Sequence, residues 1–207
     1  MVALYNSWAK DGRDVVMEAT QGATADEMIS FILNRRHAEE GELKGPHHAI
    51  DAGCGNGWLA RRFASACQTT GEQPSFHGVL AVDAASLMIA KATSLEDVDR
   101  KKRKPGDCPV EYLVADVQTW RPPQRVNVVF ASELLFFLDD PRSCVAHWVD
   151  SWLMEGGRVI ASVECHKVGA LISRRFRVSK RSGSILVMAR IYNEGTGNRR
   201  IICMVGH

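Results

Sequence analysis

Ala49-Ile50-Asp51-Ala52-Gly53-Cys54-Gly55-Asn56-Gly57-Trp58-Leu59-Ala60 decides how this chain is read. An apolar lead-in ends on an acid, three glycines alternate, and a helix-forming run follows. Alternating glycines let a strand-to-helix turn take positive φ and bring its backbone close to a ligand. The acid two residues before the first glycine narrows the choice of ligand. A carboxylate there does little for a pyrophosphate, whereas a cofactor carrying positive charge gains from it. S-adenosylmethionine, a sulfonium with a free ammonium, has that charge.

Working outward, strands and helices alternate on both sides of the glycine run. His48–Ala52 reads as a strand and Gly57–Ala66 as a helix, then Gly78–Val82 as a strand and Ala84–Ala92 as a helix. Tyr112–Ala115 and Val126–Ala131 read as strands, Pro141–Leu153 as a helix closed by Gly156-Gly157, and Arg158–Glu164 as a fifth strand. Apolar strands separated by helices predict an α/β fold, a doubly wound and mostly parallel sheet covered on both faces. Residues 1–35 read as helical, broken at Asp11-Gly12-Arg13-Asp14, with Thr24 as the N-cap of a second helix and Glu27 three positions on. Near the end, Val168–Phe176 is a candidate helix. Ser184–Tyr192 and Arg200–Val205 are candidate strands of an antiparallel hairpin.

In an open α/β sheet, ligands bind outside the carboxyl ends of the strands. Polar residues fall at those ends here: Asp51 after strand one, Asp83 after strand two, Asp116 after strand three, and Ser132-Glu133 after strand four. A dinucleotide fingerprint, the rival reading, wants G-x-G-x-x-G and an acid about 20 residues on. In this chain the third glycine comes one position early, Trp58 stands where it is wanted, and Asp83 lies farther away.

These residues together resemble the class I, Rossmann-like S-adenosylmethionine-dependent methyltransferases, over roughly residues 45–165. The resemblance implies that Asp51, Gly53, Cys54, Gly55, Asn56 and Gly57 cradle the methionine end of S-adenosylmethionine. It implies that Asp83, with Ala84 beside it, takes the ribose hydroxyls. Asp116 and the Val117 backbone would meet the adenine, with Leu87 or Met88 against the ring. Ser132 would lie near the methionyl group and the acceptor. The pattern Tyr5…Trp8-Ala9…Gly12-Arg13-Asp14 resembles small members whose leading helices fold over the cofactor, which places Trp8 near the site. Glu133 and His166 are the candidates for a general base, and each also has an ordinary reading as a helix-start acid or a surface histidine.

With 207 residues, the chain is expected to form one domain. Residues 1–36 would make a helical lid, 45–165 the cofactor core, and 166–207 a basic terminal segment. That last segment carries nine Lys and Arg from Lys167 onward against one acid, Glu194, so its net charge is +8 and the preceding 166 residues carry −6. A solvated basic face or a shortened substrate-covering region is favoured over nucleic-acid binding, since aromatic residues do not interleave with the charges. Cys54, Cys67, Cys108, Cys144, Cys165 and Cys203 are scattered without metal-ligand spacing, which fits a reduced, cytoplasmic setting and no metal. No signal-like or membrane-spanning apolar run is read. The expected activity is methyl transfer to an acceptor, more readily a small molecule. A cofactor-binding protein without transferase activity and an NAD(P)-dependent oxidoreductase are the alternatives. Oligomeric state leaves no trace in the sequence.

Overall fold

The computed structural model describes residues 1–33, 47–67, 76–101, 108–162, 177–181, 184–191 and 199–205. Helices α1 (Val2–Asp11) and α2 (Val15–Leu33) lead into β1 (His48–Ala52), α3 (Trp58–Ala66), β2 (Gly78–Asp83), α4 (Ser86–Arg100) and β3 (Val110–Val114). There follow β4 (Val126–Ser132), a single 3-10 turn at Leu135–Phe137, α5 (Pro141–Ser151) and β5 (Leu153–Ser162), then β6 (Arg177–Arg181), β7 (Ser184–Ile191) and β8 (Arg199–Val205). The strands form one sheet in the order β3-β2-β1-β4-β5-β8-β7-β6. Six of them run parallel, from β3 across to β8. The hairpin expected at the end is present as the antiparallel β7–β8 pair, and β6, which the sequence reading did not include, adds antiparallel to β7.

The chain order 1-2-3 and then 1-4-5 reverses at β1, and a crevice opens there at the carboxyl edge. Every residue of β4 from Val126 to Ala131 is buried, and successive side chains enter two different cores. Val128 and Phe130 join one core with Met28, Phe63 and Ile89 from α2, α3 and α4. Val129 and Ala131 join the other with Val145, Trp148 and Trp152, from α5 and the residue after it. A central parallel strand is buried on both faces, so period-two patterning disappears, and its one fully buried polar residue, Asn127, accepts from the His48 N–H at 2.8 Å.

The second core also fixes the site. Trp148 and Trp152 stack with ring centroids 5.3 Å apart and are fully buried. Their indole N–H groups donate to the carbonyls of Val117 (2.8 Å) and Trp120 (2.9 Å). Buried indoles need such acceptors, and these two lie in the segment after β3 that carries Asp116. Helix α5 thereby holds one wall of the crevice in place.

Three local expectations are corrected. Thr24 lies inside the continuous helix α2 and caps nothing, because the chain already turns at Gly12 (φ 72°) and α2 starts at Val15. Helix α4 runs on to Arg100, eight residues past its expected end. Strand β5 starts at Leu153 rather than at Arg158: Val126 pairs with Leu153, the ladder shifts, and Val128 pairs with Arg158. The candidate helix Val168–Phe176 lies outside the described residues.

At the start of α5, Asp140 is the N-cap, accepting from the backbone N–H of Arg142 and Ser143 at 3.1 Å and from the Ser143 hydroxyl at 2.6 Å. The Ser143 hydroxyl and N–H hold the carboxyl below its ordinary range. A depressed carboxyl stabilises the fold above its unfolded pKa, and that contribution vanishes as pH falls through the folded value. Asp140→Ala should therefore lower the urea midpoint at neutral pH, and the gap from wild type should close in titrations carried below about pH 4.

Candidate active site

The glycine run becomes a loop bound to the end of β2. Gly53 and Cys54 donate their N–H groups to the Val82 carbonyl (2.8 and 3.0 Å), and Gly57 donates to Cys54 (2.8 Å). Gly53, Gly55 and Gly57 all have positive φ, between 54° and 75°. They face different neighbours. A methyl group on Gly55 would meet nothing within 4 Å, so this residue opens into the crevice. At Gly57 the same methyl would strike the Tyr112 ring of β3 and come within 2.7 Å of its hydroxyl oxygen. Gly57 does not line the crevice. Its hydrogen in place of a side chain admits Tyr112, a packing reason for this glycine that the sequence reading did not include.

Carboxylates converge on this loop. Asp83 accepts from the N–H of Ala85 at 2.7 Å through one oxygen and from Gly55 at 2.9 Å through the other. Burial raises its carboxyl, and these backbone donors, with Ala84, counter part of the rise. Asp51 sits deeper, 1% exposed, and its Oδ2 is buried with no hydrogen-bond partner. Burial first and the neighbouring Asp83 second push the Asp51 carboxyl up to about 8; the Ala60 N–H and the Arg61 guanidinium only partly oppose them. Burying a lone carboxylate is costly unless a cation or donor meets it. Asp116 lies on the exposed rim, where its carboxylate accepts from the Gln118 N–H at 2.9 Å.

The crevice is roofed by residues from the N-terminal helices. Tyr5 stands edge-on to Phe137, centroids 5.5 Å apart. Asn6 Oδ1 accepts from Leu87 N–H at 2.9 Å and so caps α4 from another helix. Asp14, 3% exposed in the break between α1 and α2, accepts from Lys91 Nζ and from Asn56 Nδ2, both at 2.7 Å. Asn56 in turn accepts from Trp58 N–H at 3.1 Å, so the glycine loop and the roof share one polar chain. Farther along, Ser132 Oγ donates to Gln21 Oε1 at 3.2 Å and lies 3.1 Å from Ser162 Oγ.

Of the residues expected at the site, Asp51, Gly53, Cys54, Gly55, Asn56, Asp83, Ala84, Met88, Asp116, Val117, Ser132 and Glu133 line one crevice. Trp8 does not; it packs on Tyr5 (5.1 Å), and Tyr5 takes the lining position. Met88 lines the crevice and Leu87 does not. His166 lies outside the described residues. Sequence reasoning missed Gln21; it placed Tyr5 and Asp14 in the lid pattern without a contact for either, and of the adjacent Phe136 and Phe137 it is Phe137 that lines the crevice. The partners of Asp14 were not visible, because they lie 42 and 77 positions away. Among the described residues, no group of three or more His, Cys, Asp or Glu is arranged to hold a metal ion, and no helix is long and apolar enough to cross a membrane.

Comparison with known proteins follows the same lines. No curated protein matches the chain. Solved structures do. One is a chain of the complex between the Haloferax volcanii Trm112 methyltransferase activator and a methyltransferase, 16% identical, covering 86% of this chain and 79% of that one with a TM-score of 0.56. A second is an S-adenosylmethionine-dependent methyltransferase from Clostridium acetobutylicum, 14% identical over 94% of this chain and 79% of that one, TM-score 0.54. The DhpI–SAH complex is 17% identical over 97% and 76%, TM-score 0.52. At such identities the likeness is one of fold. The family model described as a methyltransferase domain matches residues 49–157, more than half of the chain. The chain therefore belongs to the methyltransferase-domain family, the class I Rossmann-like S-adenosylmethionine-dependent methyltransferases.

Proposed function

We propose that this crevice holds S-adenosylmethionine and that the protein transfers its methyl group to a small-molecule acceptor. The observation that carries the reading is Asp51 Oδ2, a buried carboxylate oxygen without a partner beside a glycine loop. A pyrophosphate would worsen that burial; an ammonium would relieve it. The donor set fits the rest of the cofactor. The Asp83 carboxylate keeps acceptor capacity beyond its backbone bonds, suited to ribose hydroxyls. Asp116 at the rim suits an exocyclic amine, and Met88 and Val117 offer apolar faces for a flat ring. The sulfonium of the bound cofactor supplies an electrophilic methyl and a neutral leaving group. The chain's own residues then have to align and enclose. The lid helices, tied down through Asn6, Asp14 and Gln21, exclude water, and holding two reactants in line can supply on the order of 7–11 kcal/mol of the barrier reduction.

A small acceptor is favoured because the cleft is walled by the apolar Leu134, Phe137 and Leu138, and among the described residues no Lys or Arg lines it. A thermal-shift panel tests the reading. S-adenosylhomocysteine should raise Tm with saturation, and NAD or NADP should not; stabilisation by the dinucleotides alone would replace this reading with an oxidoreductase.

Binding should also move a proton. A carboxyl raised to about 8 stabilises the fold fully below its unfolded pKa and loses that contribution as pH rises through 8. Near pH 7 Asp51 is therefore protonated, and an arriving ammonium favours its carboxylate. Calorimetry with S-adenosylhomocysteine at pH 7 should show an enthalpy that depends on the buffer's ionisation enthalpy, with roughly one proton released. That dependence should be absent above about pH 9 and in Asp51→Asn.

A further inference from the structure

The last residues of β4 and β5, Ser132 and Ser162, stand side by side in the ladder with their hydroxyl oxygens 3.1 Å apart. Ser162 is fully buried, and among the described residues the Ser132 oxygen is the one acceptor within reach of its hydroxyl. Ser162 therefore donates to Ser132, and Ser132 passes its own hydrogen to Gln21 Oε1 at 3.2 Å. The two ends of a carboxamide are told apart by such partners. This relay turns the Gln21 carbonyl towards β4 and leaves its NH2, with two donor hydrogens, unpartnered among the described residues. Gln21 is half-buried on α2 and lines the crevice.

A cofactor with a methionine end brings two opposite charges on one carbon. Asp51 answers the ammonium. The carboxylate then lies within a few ångströms of Asp51 and needs donors of its own, because an enclosed carboxylate without them is costly. The glycine loop has already spent the obvious ones. Gly53 and Cys54 give their N–H groups to the Val82 carbonyl, Gly57 gives its own to Cys54, and Gly55 donates to Asp83. Among the described residues no Lys, Arg or His side chain lines the crevice. Gln118 lines it beside Asp116, past the edge strand β3. Gln21 is at the opposite end, the Asp51 end: Asp51 pairs with Phe130 of β4, two residues before Ser132.

We propose that Gln21 is the positioning residue for the carboxylate of the cofactor's methionine end, its NH2 donating to that group while the Ser162–Ser132 relay holds the carbonyl away. This rests on the reading of the crevice as an S-adenosylmethionine site. A neutral amide takes the place of a cation here, so its orientation decides the contact. Reversed, the same side chain would set a carbonyl oxygen against the carboxylate. The two serine hydroxyls fix the hand of the amide, and α2 is thereby coupled to the presence of ligand as well as to the ends of β4 and β5.

S-adenosylhomocysteine and its decarboxylated analogue differ only in this carboxylate, and both keep the ammonium. Titrated calorimetrically into the full chain, S-adenosylhomocysteine should bind Gln21→Leu at least about tenfold more weakly than wild type, as the loss of a hydrogen bond to a charged group requires. The decarboxylated analogue should bind the two proteins within about twofold, since it makes no such bond. Gln21→Glu keeps the shape and sets charge against charge, so it should weaken S-adenosylhomocysteine further and reverse the preference between the two ligands. Wild-type affinity for S-adenosylhomocysteine in Gln21→Leu, equal weakening of both ligands, or an unreversed preference in Gln21→Glu overturns the proposal while the cofactor reading stands. Failure of S-adenosylhomocysteine to bind the wild-type protein overturns both.

Discussion

Gly57→Ala should lose several kcal/mol of stability, the largest single-methyl effect expected in this protein. Two costs combine. At φ 75° an alanine takes on the left-handed penalty, about 1 kcal/mol or more. Its methyl also meets the Tyr112 ring, and forcing such overlap into a packed region costs typically about 1–3 kcal/mol. Tyr112 is half-buried on β3 against the first core and cannot swing clear without disturbing Pro109–Val114 and the start of α3. Against a total stability of about 5–15 kcal/mol, the variant should show a markedly lower urea midpoint or fail to fold at growth temperature. Gly55→Ala is the control. It shares the positive φ but meets no neighbour within 4 Å, so it should cost only about 1 kcal/mol in stability while projecting a methyl into the crevice and weakening cofactor binding. If Gly57→Ala unfolds at the same urea concentration as Gly55→Ala, the packing account of Gly57 is wrong.

The second large effect is expected at Asp83. Asp83→Ala should weaken S-adenosylhomocysteine by at least about 100-fold, since two charge-assisted hydrogen bonds to hydroxyls are worth about 1.5–3 kcal/mol each. The carboxylate does double work, because the same oxygens hold the N–H groups of Gly55 and Ala85. Losing them frees the tip of the loop as well as the hydroxyl contacts. Asp83→Asn separates these roles: one oxygen can still accept, but its NH2 faces a backbone donor, so an intermediate loss is expected. Stability should follow a different pattern from affinity. Burial already disfavours the charged form of Asp83, which offsets part of the roughly 1–3 kcal/mol lost when the asparagine NH2 leaves one backbone N–H without its acceptor, so the fold should lose less than the ligand does. Calorimetric affinities that match wild type in either variant would remove Asp83 from the cofactor site.

What could be read from the sequence follows from how far each feature reaches along the chain. The acids Asp51, Asp83 and Asp116 were legible because each ends an apolar run, and a parallel sheet brings such ends to one edge. The buried strands β1, β2 and β4 were legible for the same reason. Residues whose partners are distant were not. Trp8 looked the better aromatic for the site, yet Tyr5, three residues earlier on the same helix face, meets Phe137 while Trp8 packs on Tyr5. Thr24 and Glu27 make a plausible capping pair, but Ala25, Met28 and Ile29 are buried in the first core and carry the helix through. Gly156-Gly157 looked like the end of α5. In fact a methyl on Gly157 would come within 2.9 Å of the Met154 carbonyl oxygen and 3.1 Å of that of Asn127, and glycine there lets β5 begin early with an irregular ladder. None of these outcomes is encoded within a window of a few residues.

The roof over the crevice also sets an order of assembly. Its ties join Asn6 to Leu87, Asp14 to Lys91, and Gln21 to Ser132, spanning 81, 77 and 111 positions. Helices α1 and α2 are made before the residues that tie them down, the last of which follows more than a hundred residues later. At about 5–20 residues per second, the segment that will cover the site waits on the order of ten seconds before β4 exists to receive it. The segment that roofs the crevice is thus made ahead of every residue that fastens it.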